Sequence, residues 1–159
     1  HKNAMFDKYN KGTVPTLERD TCLYLAGLFD GESCIRLGFH NKDGRTRCTP
    51  VVKLAMTHKE TMEWVAGLLQ RKLGRHTCKN QNARMAWSVL IGNVEGVISL
   101  LEQLAPFMRV KREVAATVLQ FCYLRRGKES LPWQERRYTE DEMALYVKVR
   151  ELNRTGAIH

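Results

Sequence analysis

The chain has 159 residues, with 26 Lys and Arg against 17 Asp and Glu and a formal net charge of +9. That length suits one domain, and a basic excess of this size points to a polyanionic partner, nucleic acid or an acidic membrane surface. No apolar run approaches the ~18 residues of a membrane span and no signal-peptide core opens the sequence, so the expectation is a soluble intracellular protein, in an organelle or a prokaryotic cytoplasm alike.

Residues 1–12 read as a polar, mobile leading segment of a single domain spanning 1–159. Pro15 and Thr16 punctuate the start of a first helix, with Thr16 as its N-cap, and Gly31 closes it about four turns later. From Cys22 to Phe29 no residue is charged. A helix here is therefore apolar on every side and needs burial all round. Gly27 and Gly31 stand one turn apart on one face, where each weakens the helix by about 0.5–1 kcal/mol relative to Ala. Close approach of a second helix, from the same chain or from a second copy, is the physical reason for such spacing. Asp30 and Glu32 follow at the edge of that contact.

Alternation then takes over. Ile35, Leu37 and Phe39 point one way while Arg36, Gly38 and His40 point the other, the period of a half-buried strand. Asn41 to Gly44 is a turn, with its hairpin signal at Asp43-Gly44. The return strand sends Val52, Leu54 and Met56 inward against Arg47, Thr49, Val51 and Lys53 outward. Thr57 to Glu60 has the form of a capping box for a second helix, which Met62, Val65, Ala66, Leu69 and Leu73 continue to Gly74. In a second strand pair Arg75, Thr77, Lys79 and Gln81 alternate with His76 and Cys78. After a turn at 80–82, Arg84, Ala86 and Ser88 oppose Met85, Trp87, Val89 and Ile91. Asn93 caps a third helix that Pro106 stops, and another helix runs from about Val110 to Arg126. A loop from Gly127 to Tyr138 precedes a last helix, which opens on a second capping box at Thr139 to Glu142 and runs to about Asn153. Antiparallel hairpins with helices on one face make an α+β domain of αββαββα order with two further helices.

Cys22, Cys34, Cys48, Cys78 and Cys122 are odd in number and widely spaced. They support neither a zinc site nor a disulfide framework, and Cys22 and Cys122 fit apolar helical patterns as small core residues.

Residues 25–33, Leu-Ala-Gly-Leu-Phe-Asp-Gly-Glu-Ser, resemble the nine-residue signature of the LAGLIDADG homing endonucleases. Gly31 stands where Ala is usual and Ser33 replaces the final Gly. Leu104 to Lys111 is similar to the Leu-x-Pro-Phe-Leu-x-x-Lys segment of the single-motif, chloroplast-intron-type members. The resemblance implies a homodimeric endodeoxyribonuclease that cuts both strands of a long pseudo-palindromic DNA and leaves 3′ overhangs. It implies Glu32 and the Gly31 carbonyl as ligands of Mg²⁺, with Mn²⁺ as a substitute and Ca²⁺ binding without cleavage. Lys111 and His58 join Glu32 as the implied catalytic set. Met62 stands where an Arg is expected, with Lys53 and Arg84 as stand-ins. Asp30 takes a bracing role across the helix pair. Leu23, Gly27, Leu28 and Gly31 would form the dimer interface, with the antiparallel sheet as a DNA-binding saddle.

A two-stranded ribbon fits the DNA major groove, where Arg, Lys, His, Thr, Ser and Gln read base edges. Arg36, His40, Arg47, Thr49, Lys53, Arg75, Thr77, Lys79, Gln81, Arg84 and Ser88 form the expected contact set. Lys42, Lys128, Arg136, Arg137 and Lys148 steer phosphates or are plain surface. The alternative reading is an RNA maturase of the same family, an intron splicing factor that binds RNA without cutting it. The pairing of Glu32 with Lys111 favours the nuclease, since splicing assistance needs no metal carboxylate.

Overall fold

The computed structural model describes residues 12–76 and 84–157. Residues 1–11 of the expected leading segment, the candidate contacts Thr77, Lys79 and Gln81, Cys78 and the turn at 80–82 lie outside the described residues. In chain order the elements are α1 (Arg19–Glu32), β1 (Ser33–Lys42), β2 (Arg45–Met56), α2 (Lys59–Leu69), β3 (Gly74–His76), β4 (Ala86–Ile91), α3 (Val94–Leu104), α4 (Arg112–Arg125) and α5 (Glu140–Ala157). The four strands form one antiparallel sheet of order β1-β2-β4-β3. The expected αββαββα order with two added helices is therefore observed.

Strand parity sorts the sheet into two faces. Ile35, Leu37, Cys48, Val52, Leu54, Val89 and Ile91 are buried together with Leu25 and Phe29 of α1, Met62 and Leu69 of α2, Leu101 and Leu104 of α3, and Phe121 and Cys122 of α4. Each fully buried Leu, Ile or Phe contributes about 1.5–3 kcal/mol of transfer free energy, so this face fixes the register of every strand. At the β1–β2 turn, Asp43 and Gly44 both take positive φ, 55° and 72°, and Lys42 pairs with Arg45. This is the two-residue hairpin geometry that Asp-Gly favours.

Helix ends differ in detail from expectation. Thr16 caps nothing, because residues 14–17 are held along α3: Val14 N–H donates to Ser99 Oγ, Leu17 N–H to Gln103 Oε1, and Gln103 Nε2 to the Pro15 carbonyl. Glu18 takes the N-cap position with no side-chain bond. The α2 cap falls one residue later than expected, on His58 instead of Thr57. Asn93 is positioned as the N-cap of α3, but its amide reaches the Gly12 carbonyl and accepts from Arg71. The second capping box forms as read: Glu142 N–H donates to Thr139 Oγ1, and Thr139 N–H to Glu142 Oε1. The final helix continues past Asn153 to Ala157. No helix among the described residues is long and apolar enough to cross a membrane.

The burial of α1 also departs from the sequence reading. Cys22, Leu25, Ala26 and Phe29 are buried, whereas Leu23 and Tyr24 are 40% and 56% exposed and Gly27 and Gly31 are open. This chain covers only one side of a helix that is apolar on all sides.

Candidate functional site

The end of α1 carries two acids in contrasting surroundings. The Asp30 carboxylate accepts from the backbone N–H groups of Arg109, Val110 and Lys111 at 3.0, 3.1 and 2.8 Å. Those groups lie just before α4, so the carboxylate serves as a cap supplied from another helix. The Lys111 ammonium donates back to the Asp30 carbonyl at 2.7 Å, placing a cation on the negative end of the α1 dipole. Burial alone would raise the Asp30 pKa, but the three N–H bonds and the Lys111 charge hold it below the ordinary carboxylate value. Asp30 thus braces α1 against α4. The same bonds fix Lys111 beside the last turn of α1.

Glu32, two residues on, is exposed and makes no hydrogen bond or ion pair with the described residues. The chain turns sharply behind it. Ser33 Oγ donates to the Phe29 carbonyl at 2.5 Å, and its own N–H reaches the same oxygen, ending the helix and launching β1. Because the carbonyls of a last helical turn lack intrahelical donors, Gly31 and its neighbours add acceptor oxygens beside this free carboxylate. No group of three or more His, Cys, Asp or Glu among the described residues could hold a metal ion. One carboxylate with carbonyl oxygen nonetheless suits Mg²⁺, which keeps several waters and binds substrate phosphate.

The glycine face of α1 has no neighbour in this chain. A Cβ built on Gly27 or Gly31 would meet nothing within 4 Å. Of the alternatives open in the sequence, packing against another helix of the same chain is therefore excluded among the described residues. Leu23 shares the bare face, while Leu28 is half-buried and packs on the core.

The sheet face away from the core is open and largely basic. Arg36 and His40 of β1 are exposed, with Arg47 paired opposite His40, and Thr49 is half-buried opposite Gly38. Gly38 makes room for this crowd: a Cβ there would lie 3.0 Å from the Arg36 guanidinium and 3.6 Å from Thr49 Oγ1. Lys53 pairs with Cys34, one step from the Ser33–Leu54 pair beside Glu32, so its ammonium stem rises from the row nearest the acid. Arg84 is exposed, yet it precedes β4 and lies six residues from Leu90, the β4 partner of Lys53. The four strand steps from Ala86 to Leu90, at about 3.3 Å each, already place the start of the strand roughly 13 Å from that row. Of the two stand-ins, Lys53 is near the acid and Arg84 is not.

One expected position needs correction, that of Arg75, and Ser88, Met62 and His58 take definite places. Arg75 pairs with Trp87, which pairs with Met56, so it belongs to the helix side of the sheet, where its guanidinium lies 5.5 Å from the centroid of the Trp87 ring, within cation–π range. His76, opposite Ala86, takes the place on the open face expected for Arg75. Ser88 is on the open face but 9% exposed, covered beside Gly74, whose added Cβ would approach Ser88 Oγ to 3.2 Å. Met62 is fully buried, so that position supplies core volume and no polar group. His58 caps α2: its Nδ1 accepts from Thr61 N–H and lies 2.7 Å from the Thr61 hydroxyl, and no hydrogen bond joins it to Glu32 or Lys111.

Beyond its capping box, Glu142 also centres a buried charge cluster that the sequence pattern does not reveal. Glu142 is inaccessible and binds Arg125 at 3.2 Å and Lys128 at 3.0 Å. Burial pushes its pKa up, but the Lys128 and Thr139 hydrogen bonds and the Arg125 charge together hold it low. Tyr138 extends the cluster to the sheet. Its hydroxyl accepts from Cys48 N–H and donates to the Cys48 carbonyl, filling the edge of β2 beyond the reach of β4. Residues 17 and 90 positions apart in sequence leave no local signal for such a cluster.

Residues 21–105 match the LAGLIDADG-like domain. The chain belongs to that family. The fold agrees with solved LAGLIDADG homing endonucleases. I-CvuI, solved in complex with the I-CreI target, matches with a TM-score of 0.65 at 17% identity over 84% of this chain and 82% of that one. The archaeal intron-encoded I-Vdi141I, complexed with DNA, matches at 0.64 and 16% over 85% and 86%. I-LtrWI, bound to its target DNA, matches at 0.62 and 15% over 89% of this chain but 46% of its own length. No curated protein matches the chain by sequence. The LAGLIDADG helix is α1, and the eighth position of its signature is the free Glu32 that ends the helix.

Proposed function

We propose that this LAGLIDADG protein is a site-specific homing endonuclease that cuts both strands of a long double-stranded DNA as a homodimer, with Mg²⁺. The observation that carries the reading is the pairing of an exposed, partnerless Glu32 with an uncovered Gly27/Gly31 face on the same helix. One such acid per chain serves one strand. Two copies joined through α1 by a closed two-fold bring two acids side by side, one for each strand.

Glu32 and the Gly31 carbonyl would hold the cation. A cation held there would supply Lewis-acid chemistry, activating water and offsetting charge on the departing oxygen. The chain's own groups do the rest. The Asp30 bonds hold the 109–111 turn against α1, so that Lys111 stays next to the scissile region as a fixed positive charge for the developing phosphate charge. Arg36, His40 and Thr49 provide donors and acceptors for base edges in the major groove. A two-fold dimer reads half-sites related by the same axis, so the target is pseudo-palindromic.

The test is digestion of a duplex library with long randomised inserts, followed by sequencing of the new ends. Mg²⁺ or Mn²⁺ yields cuts at one family of pseudo-palindromes with 3′ overhangs, and Ca²⁺ yields binding alone. Cutting that persists undiminished in excess EDTA contradicts the metal role, and intact libraries under every metal contradict the nuclease reading.

A further inference from the structure

Far from Glu32, the 128–138 segment and β2 enclose a cavity of about 340 Å³. Its wall includes Arg47 of β2, Arg125 of α4, and Trp133, Arg136 and Arg137 of the segment. Arg125 is neutralised by buried Glu142. Arg47 and Arg137 are exposed and have no acidic partner among the described residues, and Glu129 is the only carboxylate on the wall. Unpaired guanidiniums around one concavity create a positive field that a phosphate oxygen pair satisfies in bidentate fashion.

The cavity is held from behind. The Glu142 cluster ties α4 to α5, Tyr138 is clamped to both backbone groups of Cys48, and Arg136 Nε donates to the Leu131 carbonyl. Arg45 stacks 5.2 Å over the Trp133 ring, pinning the segment to the β1–β2 hairpin. A basic patch on a loose loop would only raise the local potential. This one is scaffolded, and so fixes where an anion sits.

We propose that this cavity is a phosphate cradle, gripping one backbone phosphodiester of the bound duplex outward from the cut. The inference rests on the DNA reading above. Position follows from register: Arg47 pairs with His40, seven residues along β1 from Ser33. That is about 23 Å at ~3.3 Å per residue, roughly seven base pairs of duplex. The cradle supplies affinity and register without reading sequence.

Phosphate contacts are sequence-independent, so the test uses the full chain and a duplex of about 30 base pairs of arbitrary sequence. Binding is measured against salt for wild type, R47A, R137A and the control R150A on α5. R47A and R137A each make the slope shallower by about 1, and R150A leaves it unchanged. Because Arg47 and Arg137 are exposed and unbonded, both variants fold, which circular dichroism checks. A second arm follows the Trp133 emission, taken as wild type minus W133F. Duplex produces a saturable change, and inorganic phosphate at constant ionic strength does not. Wild-type slopes retained in both variants overturn the cradle while leaving the DNA reading intact. A phosphate-saturable signal that duplex does not alter overturns the choice of backbone over free phosphate. Wild type that binds no duplex overturns the DNA reading itself.

Discussion

Asp30 and Glu32 stand two residues apart at the end of one helix, and nearly everything around them differs. Asp30 accepts three backbone N–H bonds and its carbonyl receives the Lys111 ammonium. Glu32 projects into solvent with no partner among the described residues. A carboxylate saturated with donors has little left for a metal ion, and its removal leaves orphaned N–H groups on another helix. A carboxylate without donors contributes little to the fold and keeps its oxygens for a cation. The same helix end thus divides structure from chemistry between two acids that sequence alone makes look alike.

The largest effect should come from Glu32. Glu32→Gln removes the only free carboxylate at the α1 terminus, so cleavage should fall by at least about 10³-fold, while thermal stability stays within about 0.5 kcal/mol of wild type. DNA affinity should hold within about tenfold, since losing a negative charge near phosphates does not weaken binding. Near-normal cleavage would move the metal site elsewhere. The glycine face comes next. Gly27→Leu fills open space in the single chain, so the monomer should fold, yet sedimentation should show loss of dimer together with loss of double-strand cutting. A fully dimeric, active G27L would break the link between α1 and assembly.

Asp30 should show the opposite pattern to Glu32. Asp30→Asn weakens charge-assisted bonds to three N–H groups and should cost about 1–3 kcal/mol in urea unfolding, with activity lost in step with the misplacement of Lys111. Its folded pKa is depressed, so its contribution is fully present above the unfolded carboxylate value of about 3.9 and is lost as pH falls through the folded value. Glu142 has the same sign. Wild type should therefore lose stability steeply below about pH 4, and D30N should lose less over that range. A D30N pH profile parallel to wild type would show that Asp30 titrates normally. The smallest effect is at His58, where His58→Ala should cost about 0.5–1 kcal/mol through loss of the α2 cap. A cleavage defect beyond about tenfold, with the helix intact, would give His58 a role in the chemistry as well as in the cap.

Much of this architecture is legible along the chain because it depends on local rules. The Asp43-Gly44 turn, the Thr139–Glu142 capping box and the inward parity of Ile35, Val52 and Val89 are each decided within a few residues. Failures come where a distant partner decides. Thr16 looks like a cap, but residues 14–17 are tied to Ser99 and Gln103 more than eighty positions away. Alternation along the sequence puts Arg75 on the open face, but β3 spans only three residues and pairing with Trp87 sets its side. For the bare half of α1, composition shows that the helix is apolar but not which of its sides the chain itself covers, and only the family resemblance points to the Gly27/Gly31 face.

The most direct measurement of the central claim is a subunit-mixing experiment on a plasmid carrying the recovered target. If two Glu32 residues each serve one strand, mixed dimers of wild type and E32Q should nick the plasmid, and nicked circles should peak at an intermediate mixing ratio. Accumulation of linear product alone at every ratio, in simple proportion to wild-type protein, would contradict an account in which two copies share the work.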